Sequence, residues 1–575
     1  MNLRQQLHQR VGAAMAAAGC GDDADPLLRP ADPKFGDYQA NGVMAAAKRQ
    51  KTNPRQLAEK VLENLDPGDW GEQLSVAGPG FINIRLKDDF LTGQLSAVQE
   101  DPKLGTPPHE HPQQVVVDYS HPNLAKEMHV GHLRSTIIGD AICRVLEFLG
   151  EKVLRHNHVG DWGTQFGMLL AYLDEREAAG QSASGELADL EGFYRAAKER
   201  FDSDPAFADT ARGAVVKLQA GDDHYRQVWQ TFIDESLRHC QAVYDQLNIT
   251  LTPEDVVPES FYNDDLPKVI DDLASAGLLT QSQGAQCVFL EEFTGADGEP
   301  LPVIVRKSDG GYLYATTDLA AIRYRAGQLA ADRVLYIVDA RQTLHLRQVF
   351  AVARAAGFCP EQCSLEHHPF GTMMGADGKP FKTRAGGTVK LTALLDEAVD
   401  RARKLLDEKN PDLPAEDRPA VARAVGIGAV KYADLSQNRA SDYVFSWDKM
   451  LSLDGNTAPY MQYAYARIRS IFRKGGGEDI PAGDIDLATE AERLLGLKLL
   501  QFPETVESVA RECLPNVLCA YLYELAGAFM GFYENCPVLA AEGELRNSRL
   551  RLCALTARAV HTGLSLLGIQ TPERM

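Results

Sequence analysis

Val115-Val-Val-Asp118-Tyr119-Ser120-His121-Pro122-Asn123-Leu124-Ala125-Lys126-Glu127-Met128-His129-Val130-Gly131-His132 is the stretch from which the fold of this chain is read. Its three valines make a short β-branched run of the kind that forms a buried parallel strand. A polar loop containing a proline follows. Beyond His132, Leu133, Ile137, Ile138, Ile142, Leu146 and Leu149 recur at intervals of three and four, which predicts an amphipathic helix. Two histidines three apart on the first turn of a helix that follows a strand lie where an α/β sheet binds its ligands. The helix N-terminus favours a phosphate, imidazoles can donate to it, and Gly131, having no Cβ, lets a flat ring approach the backbone.

Other readings of the same residues stand beside this one. His-x-x-His arises by chance in many helices. It could be a metal pair, although no acidic or thiol ligands lie around it at zinc-like spacing. A different nucleotidyltransferase, one that makes an adenylate or a cytidylate, would use a similar His-x-Gly-His. The rest of the chain supplies the context.

With 575 residues, the chain has room for roughly three to four domains. Its 45 % hydrophobic and 24 % charged residues are ordinary for a globular protein, and no apolar run approaches a membrane span. The small-residue patch Val11 to Gly19 follows Arg4 and Arg10 like a weak leader. It is alanine-rich, however, and preceded by Gln5, Gln6, His8 and Gln9, so it reads as an amphipathic helix of a cytoplasmic protein. Ten scattered cysteines suit reduced thiols. Cys359, Cys363, His367 and His368 have metal-like spacing, but a four-ligand set on adjacent turns would be unusual, and no metal is assigned. A net charge of −21 argues against indiscriminate nucleic-acid binding, so no DNA partner is expected. It leaves room for a selective RNA partner met by local basic patches.

In chain order, residues 1–112 read as a small α+β unit: a helix near 2–18, helices after Gly42 and after Asn53-Pro54, and an alternating strand that ends at Leu86. Pro102, Pro107, Pro108 and Pro112 mark a linker. Strand–helix alternation then runs through 113–453, interrupted by a charged insertion at about 166–300. Leu301-Pro-Val-Ile-Val-Arg306 reads as the return of the main sheet, Arg333–Val338 as its central strand and Leu365–Gly371 as another. A glycine-rich basic loop at about 371–388 carries Lys379, Lys382 and Arg384. From 454 to 575 every long segment has helical period. In one helix Tyr460, Tyr463, Arg467, Arg469 and Arg473 interleave rings with guanidinium groups, a face that can stack bases and pair phosphates.

His129-Val-Gly131-His132 resembles the HIGH signature of class I aminoacyl-tRNA synthetases. With Ser120-His-Pro-Asn-Leu-Ala-Lys126 before it and Leu133-Arg-Ser-Thr136 after it, it is similar to the arginyl-tRNA synthetase version in particular. Phe35-Gly-Asp-Tyr-Gln-Ala-Asn41 and Gly78-Pro-Gly-Phe-Ile-Asn83 match that family's N-terminal domain, which touches the outer corner of the tRNA. The helical tail resembles its anticodon-binding domain. The loop at 371–388 stands where class I synthetases carry KMSKS but departs from that motif. In the arginyl family the upstream lysine, here Lys126, is thought to make up the missing charge.

The resemblance implies an α/β fold: a Rossmann-like parallel-sheet catalytic domain with an insertion, a small α+β N-terminal domain and an all-α anticodon-binding domain. It implies an arginine–tRNA ligase with ATP, L-arginine and tRNA(Arg) as partners, Mg2+ carried with the nucleotide, and a monomer. His129, His132 and Lys126 would be catalytic. These three, Gly131 and the basic residues Lys379, Lys382 and Arg384 would meet ATP. Ser120, Asn123 and Gln342 would hold the amino acid's backbone end, and Asp118, Tyr314 and Asp318 would surround its guanidinium.

Overall fold

The structure, a computed structural model, describes residues 2–180, 190–295, 298–382, 389–477 and 479–575. At its centre lies a parallel sheet in the order Ser364–His367, Arg333–Tyr336, Gln114–Asp118, Lys152–His156. Val115, Val116 and Val117 are fully buried between the layers that cover both faces of the sheet. The signature helix, Val130–Phe148, follows the first of these strands. The apolar positions read from its periodicity are buried, but so are Arg134, Ser135, Thr136 and Asp140 on its other faces. It is therefore a central helix rather than an amphipathic one, and its polar face bonds to other parts of the chain. Arg134 pairs with Asp434 at 3.0 Å, Ser135 Oγ donates to the Ile337 carbonyl, and Asp140 accepts from the Thr250 amide. Gly139 is obligatory here, because a Cβ would lie 2.3 Å from the Tyr119 ring.

The N-terminal unit has helices Leu3–Ala17, Gly42–Gln50, Pro54–Glu63 and Asp88–Gln99 around an antiparallel sheet ordered 28–30, 38–40, 81–86, 71–77. Asn53 caps the third helix through the Arg55 and Gln56 amides, as its place before a proline predicts. This unit docks on the C-terminal helices through Arg493. Its guanidinium meets both Asp37 oxygens at 2.8 and 2.7 Å, with each side chain 3 % exposed. The tail is helical throughout, with Ala458–Gly475, Glu490–Leu500, Phe502–Glu512, Pro515–Asn535 and Gly543–Leu566.

One strand expectation needs correction. Val303–Arg306 does not rejoin the parallel sheet. It pairs antiparallel with Ala285–Val288, which pairs in turn with Leu279–Ser282, so the insertion's small sheet extends past residue 300. Val303 and Val305 are buried and Ile304 is exposed, a half-buried alternation that marks a strand without naming its partner. The stretch after Gly311 enters the helix Tyr314–Arg323, which continues into a π-helical turn over Tyr324–Gln328.

Candidate functional site

The site is built at the carboxyl edge of the parallel sheet, from the turns that follow its strands. His129 is the N-cap of the signature helix. Its Nδ1 accepts the Gly131 amide at 3.0 Å, and His132 Nδ1 accepts the His129 amide at 3.1 Å. Each ring nitrogen that accepts a backbone N–H cannot itself carry the proton of a neutral imidazole, so both rings are Nε2–H tautomers. Burial lowers the pKa of both rings, that of His132 to about 3, and the Lys126 charge adds to the effect. At neutral pH the site thus presents two uncharged imidazoles 4.0 Å apart at a helix N-terminus, each keeping an N–H to donate. The flat ring over Gly131 is that of His129, whose Cε1 would sit 2.7 Å from a Cβ there.

Lys126 approaches from the preceding loop, its Nζ 4.6 Å from the centre of the Tyr194 ring. The short segment after the basic loop bridges directly to the signature: Val130 N donates to the Val389 carbonyl and Leu391 N to the Met128 carbonyl. Lys379 and Lys382 are exposed on the near side of that loop, while Arg384 lies outside the described residues.

The expected amino-acid residues divide. Tyr314, 72 % exposed, opens the helix on which Asp318 lies one turn later, and Asp318 Oδ2 meets His345 Nε2 at 2.6 Å. Gln342 is exposed at the end of the central strand's turn, and Asn123 sits against Gly160 with its Oδ1 bound to the Ala125 amide. Asp118 and Ser120 are committed inward. Asp118 is buried, with Oδ2 accepting from Arg325 and Oδ1 from His121, both at 2.8 Å. Burial would raise its pKa, but the Arg325 and His121 charges hold it well below the usual carboxylate range. Arg325 comes from the π-helical turn, a local geometry frequent at functional sites. The Ser120 hydroxyl bonds Thr136 and Tyr244 at 2.9 and 2.8 Å, and its backbone has φ of 78°, so this turn is held by its neighbours against strain.

The missed residue is Glu259, in the insertion. Its amide donates to the Val159 carbonyl at 3.0 Å, tying it to the edge of the sheet. Burial, with Asp161 and Asp318 nearby, raises its pKa to about 7, and it in turn raises that of Tyr314 after burial has done so. Asp161 is held by the Ser260 amide and hydroxyl. Asp161 and Asp318 disfavour the ionised form of Glu259, so a bound cation would favour it. A lone glutamate far from the motif carries no periodic or spacing signal by which it could have been found.

Two further groups singled out in the sequence have these partners. His367 Nε2 donates to the Val338 carbonyl and His368 pairs with Glu366, while Cys359 and Cys363 are buried. No cluster of three His, Cys, Asp or Glu able to hold a metal occurs among the described residues. On the first helix of the tail, Arg467 stacks over Tyr463 and over Tyr533 of the helix Pro515–Asn535 at 5.3 and 4.8 Å, and Tyr460 lies 5.9 Å from Tyr523. Arg469 and Arg473 instead clasp Glu573 of the chain terminus at 2.6 and 2.9 Å, so they do not share that face.

A parallel sheet with paired imidazoles at the first helix, an inserted module and a helical tail defines the class I aminoacyl-tRNA synthetase fold. Comparison narrows this further. Residues 94–447 match the class I (R) tRNA synthetase catalytic domain, 3–86 the arginyl tRNA synthetase N-terminal domain and 461–575 the DALR anticodon binding domain. The chain is 60 % identical to an arginine–tRNA ligase of Hahella chejuensis and 58 % to one of Laribacter hongkongensis, each pair covered over 100 % of both chains. The arginyl-tRNA synthetase of Plasmodium falciparum superposes with a TM-score of 0.84 at 32 % identity over 99 % of both chains, and that of Thermus thermophilus with 0.84 at 27 % over 100 %. The chain belongs to the arginyl-tRNA synthetase family.

Proposed function

We infer that this chain is an arginine–tRNA ligase of translation. The carboxylate of L-arginine attacks the α-phosphorus of ATP, pyrophosphate leaves, and the arginyl group passes from the adenylate to the 3′ end of tRNA(Arg). The observation that carries the chemical reading is the pair of Nε2–H imidazoles at the signature helix. Attack adds negative charge to the α-phosphate oxygens, and donors placed for that charge stabilise the transition state more than bound ATP. Being neutral, His129 and His132 give hydrogen bonds without surrendering a proton to bulk water. Lys126 supplies full charge to the phosphates, with Lys379, Lys382 and Arg384 of the basic loop assigned to the departing pyrophosphate, and Gly131 making room for the His129 ring at the helix N-terminus.

For the amino acid, the guanidinium is assigned to Asp318 and Glu259, with Tyr314 flat beside it. One guanidinium offers five donors to two carboxylates and relieves their mutual repulsion. Asp118 serves through Arg325 and His121 by fixing the floor of the pocket, and Ser120 fixes the turn that carries Asn123. Asn123 and Gln342 take the backbone end. Mg2+ is proposed to travel on the nucleotide's own phosphates.

The tRNA is proposed to meet Tyr460, Tyr463 and Arg467 on the tail, with the chain divided at 1–112, 113–453 and 454–575. A cytoplasmic monomer is proposed. In support of that compartment, all ten cysteines are free and buried, and no described helix is long and apolar enough to cross a membrane. The test of the function is aminoacylation of total tRNA with each amino acid in turn. Charging by arginine alone is expected, and charging by another would overturn the reading.

A further inference from the structure

The insertion is more than a solvated module, because it closes over the loop that carries Lys126. Ser236, on the helix Asp223–Leu247, donates its hydroxyl to the Leu124 carbonyl, and Trp229 on the same helix donates to the Asp161 carbonyl at 2.8 Å. On the neighbouring helix Leu190–Ser203, Phe193 is wedged between Tyr172 and Phe232 with ring centres 5.0 and 5.7 Å away, which fixes the helix about its axis. Tyr194 is thereby turned inward, 8 % exposed, with its ring 4.6 Å from Lys126 Nζ. Lys126 makes no ion pair among the described residues, and the carboxylate next to it in the chain, Glu127, is taken by Lys390 at 3.0 Å.

A lysine that must act on phosphates has two requirements that conflict. Its four-carbon stem must be held, since otherwise ordering it at each turnover costs rotamer entropy. Its charge must also stay uncancelled, which a carboxylate partner would prevent. The face of an aromatic ring meets both needs, because it attracts the cation through its quadrupole yet carries no net charge. Lys126 lies three residues before His129, the N-cap of the signature helix, so the loop that carries its charge leads directly into the imidazole pair.

We propose that Tyr194 of the insertion is a positioning residue that holds the Lys126 ammonium, fully charged, beside the paired imidazoles of the adenylation site. The proposal rests on the reading of Lys126 as a phosphate-binding group. It gives the insertion a part in the chemistry: binding that shifts the helix Leu190–Ser203 would move a catalytic charge.

The test is a double-mutant cycle in the full-length enzyme, read by arginine-dependent ATP–pyrophosphate exchange. Tyr194→Leu should lower kcat roughly threefold to thirtyfold, the range of a partly desolvated cation–π contact, with the arginine KM unchanged. Tyr194→Phe should restore most of the rate. In a Lys126→Met background, Tyr194→Leu should add nothing. Replacing Tyr194 by phenylalanines bearing one, two and three ring fluorines drains the quadrupole without changing the fold, so log kcat should fall with each fluorine. A flat fluorine series, or an equal loss from Tyr194→Leu in the Lys126→Met background, would overturn the proposal while leaving Lys126 in its role. Wild-type exchange by Lys126→Met would overturn both.

Discussion

Glu259 gives the structure's sharpest consequence for arginine recognition. Held near a pKa of about 7 by burial and by Asp161 and Asp318, it is about half protonated at neutral pH in the free enzyme. A guanidinium binds the ionised form, so binding below that pH must first expel a proton. The sign follows from the raised pKa: affinity is full above it and falls as pH drops through it. Between pH 8 and pH 6 the arginine KM should therefore rise about tenfold, approaching a factor of ten per unit on the acid side. Arginine binding near pH 7 should release a fraction of a proton, measurable as a buffer-dependent heat in calorimetry. The ATP KM should stay level across the same range, since burial keeps the imidazoles neutral. Glu259→Gln should abolish the pH slope and raise the arginine KM at pH 8 roughly tenfold to a hundredfold, the worth of a charge-assisted hydrogen bond. A wild-type arginine KM flat from pH 6 to 8, or a slope that survives Glu259→Gln, would refute this assignment.

Three other outcomes follow from the same geometry. Asp318→Asn should raise the arginine KM roughly tenfold to a hundredfold and erase much of the preference for arginine over its neutral analogue citrulline; an unchanged ratio would make Asp318 structural. Arg493→Met leaves Asp37 buried and unpaired, and should cost about 3–5 kcal/mol in chemical denaturation and loosen the N-terminal unit to limited proteolysis. A chain ending before residue 454 should be unstable rather than a folded tRNA-blind enzyme. The buried Lys431 would lose the Gly568 carbonyl at 2.9 Å, and Arg439 the Cys513 carbonyl at 3.1 Å; a cooperative thermal transition in that fragment would contradict the expectation.

How much of this was legible beforehand varies with the kind of signal. The first strand, the signature helix and the tail helices were, since valine runs and three-four periodicity report burial along one local element. The partner of Val303–Arg306 was not, because alternation records that one face is buried and not against what. The signature helix looked amphipathic because Arg134 and Asp140 are polar, and the sequence does not show that Asp434 and Thr250 arrive from far along the chain to satisfy them. Asp118 looked like a ligand carboxylate for the same reason: its guanidinium turned out to be Arg325, 207 residues on. Glu259 was invisible because what raises its pKa is burial and the company of Asp161 and Asp318, carboxylates from separate segments. Arg469 and Arg473 share a helix with the stacked tyrosines, yet the last turn of the chain claims them.

The central claim is that the neutral imidazoles act on charge that develops only in the transition state. The most direct measurement is the single-turnover rate of arginyl-adenylate formation by His132→Ala, beside its equilibrium dissociation constant for ATP. The account predicts a rate lower by about 10²–10³ with ATP affinity changed less than about threefold. A rate near wild type, or a loss of ATP binding as large as the loss of rate, would contradict it.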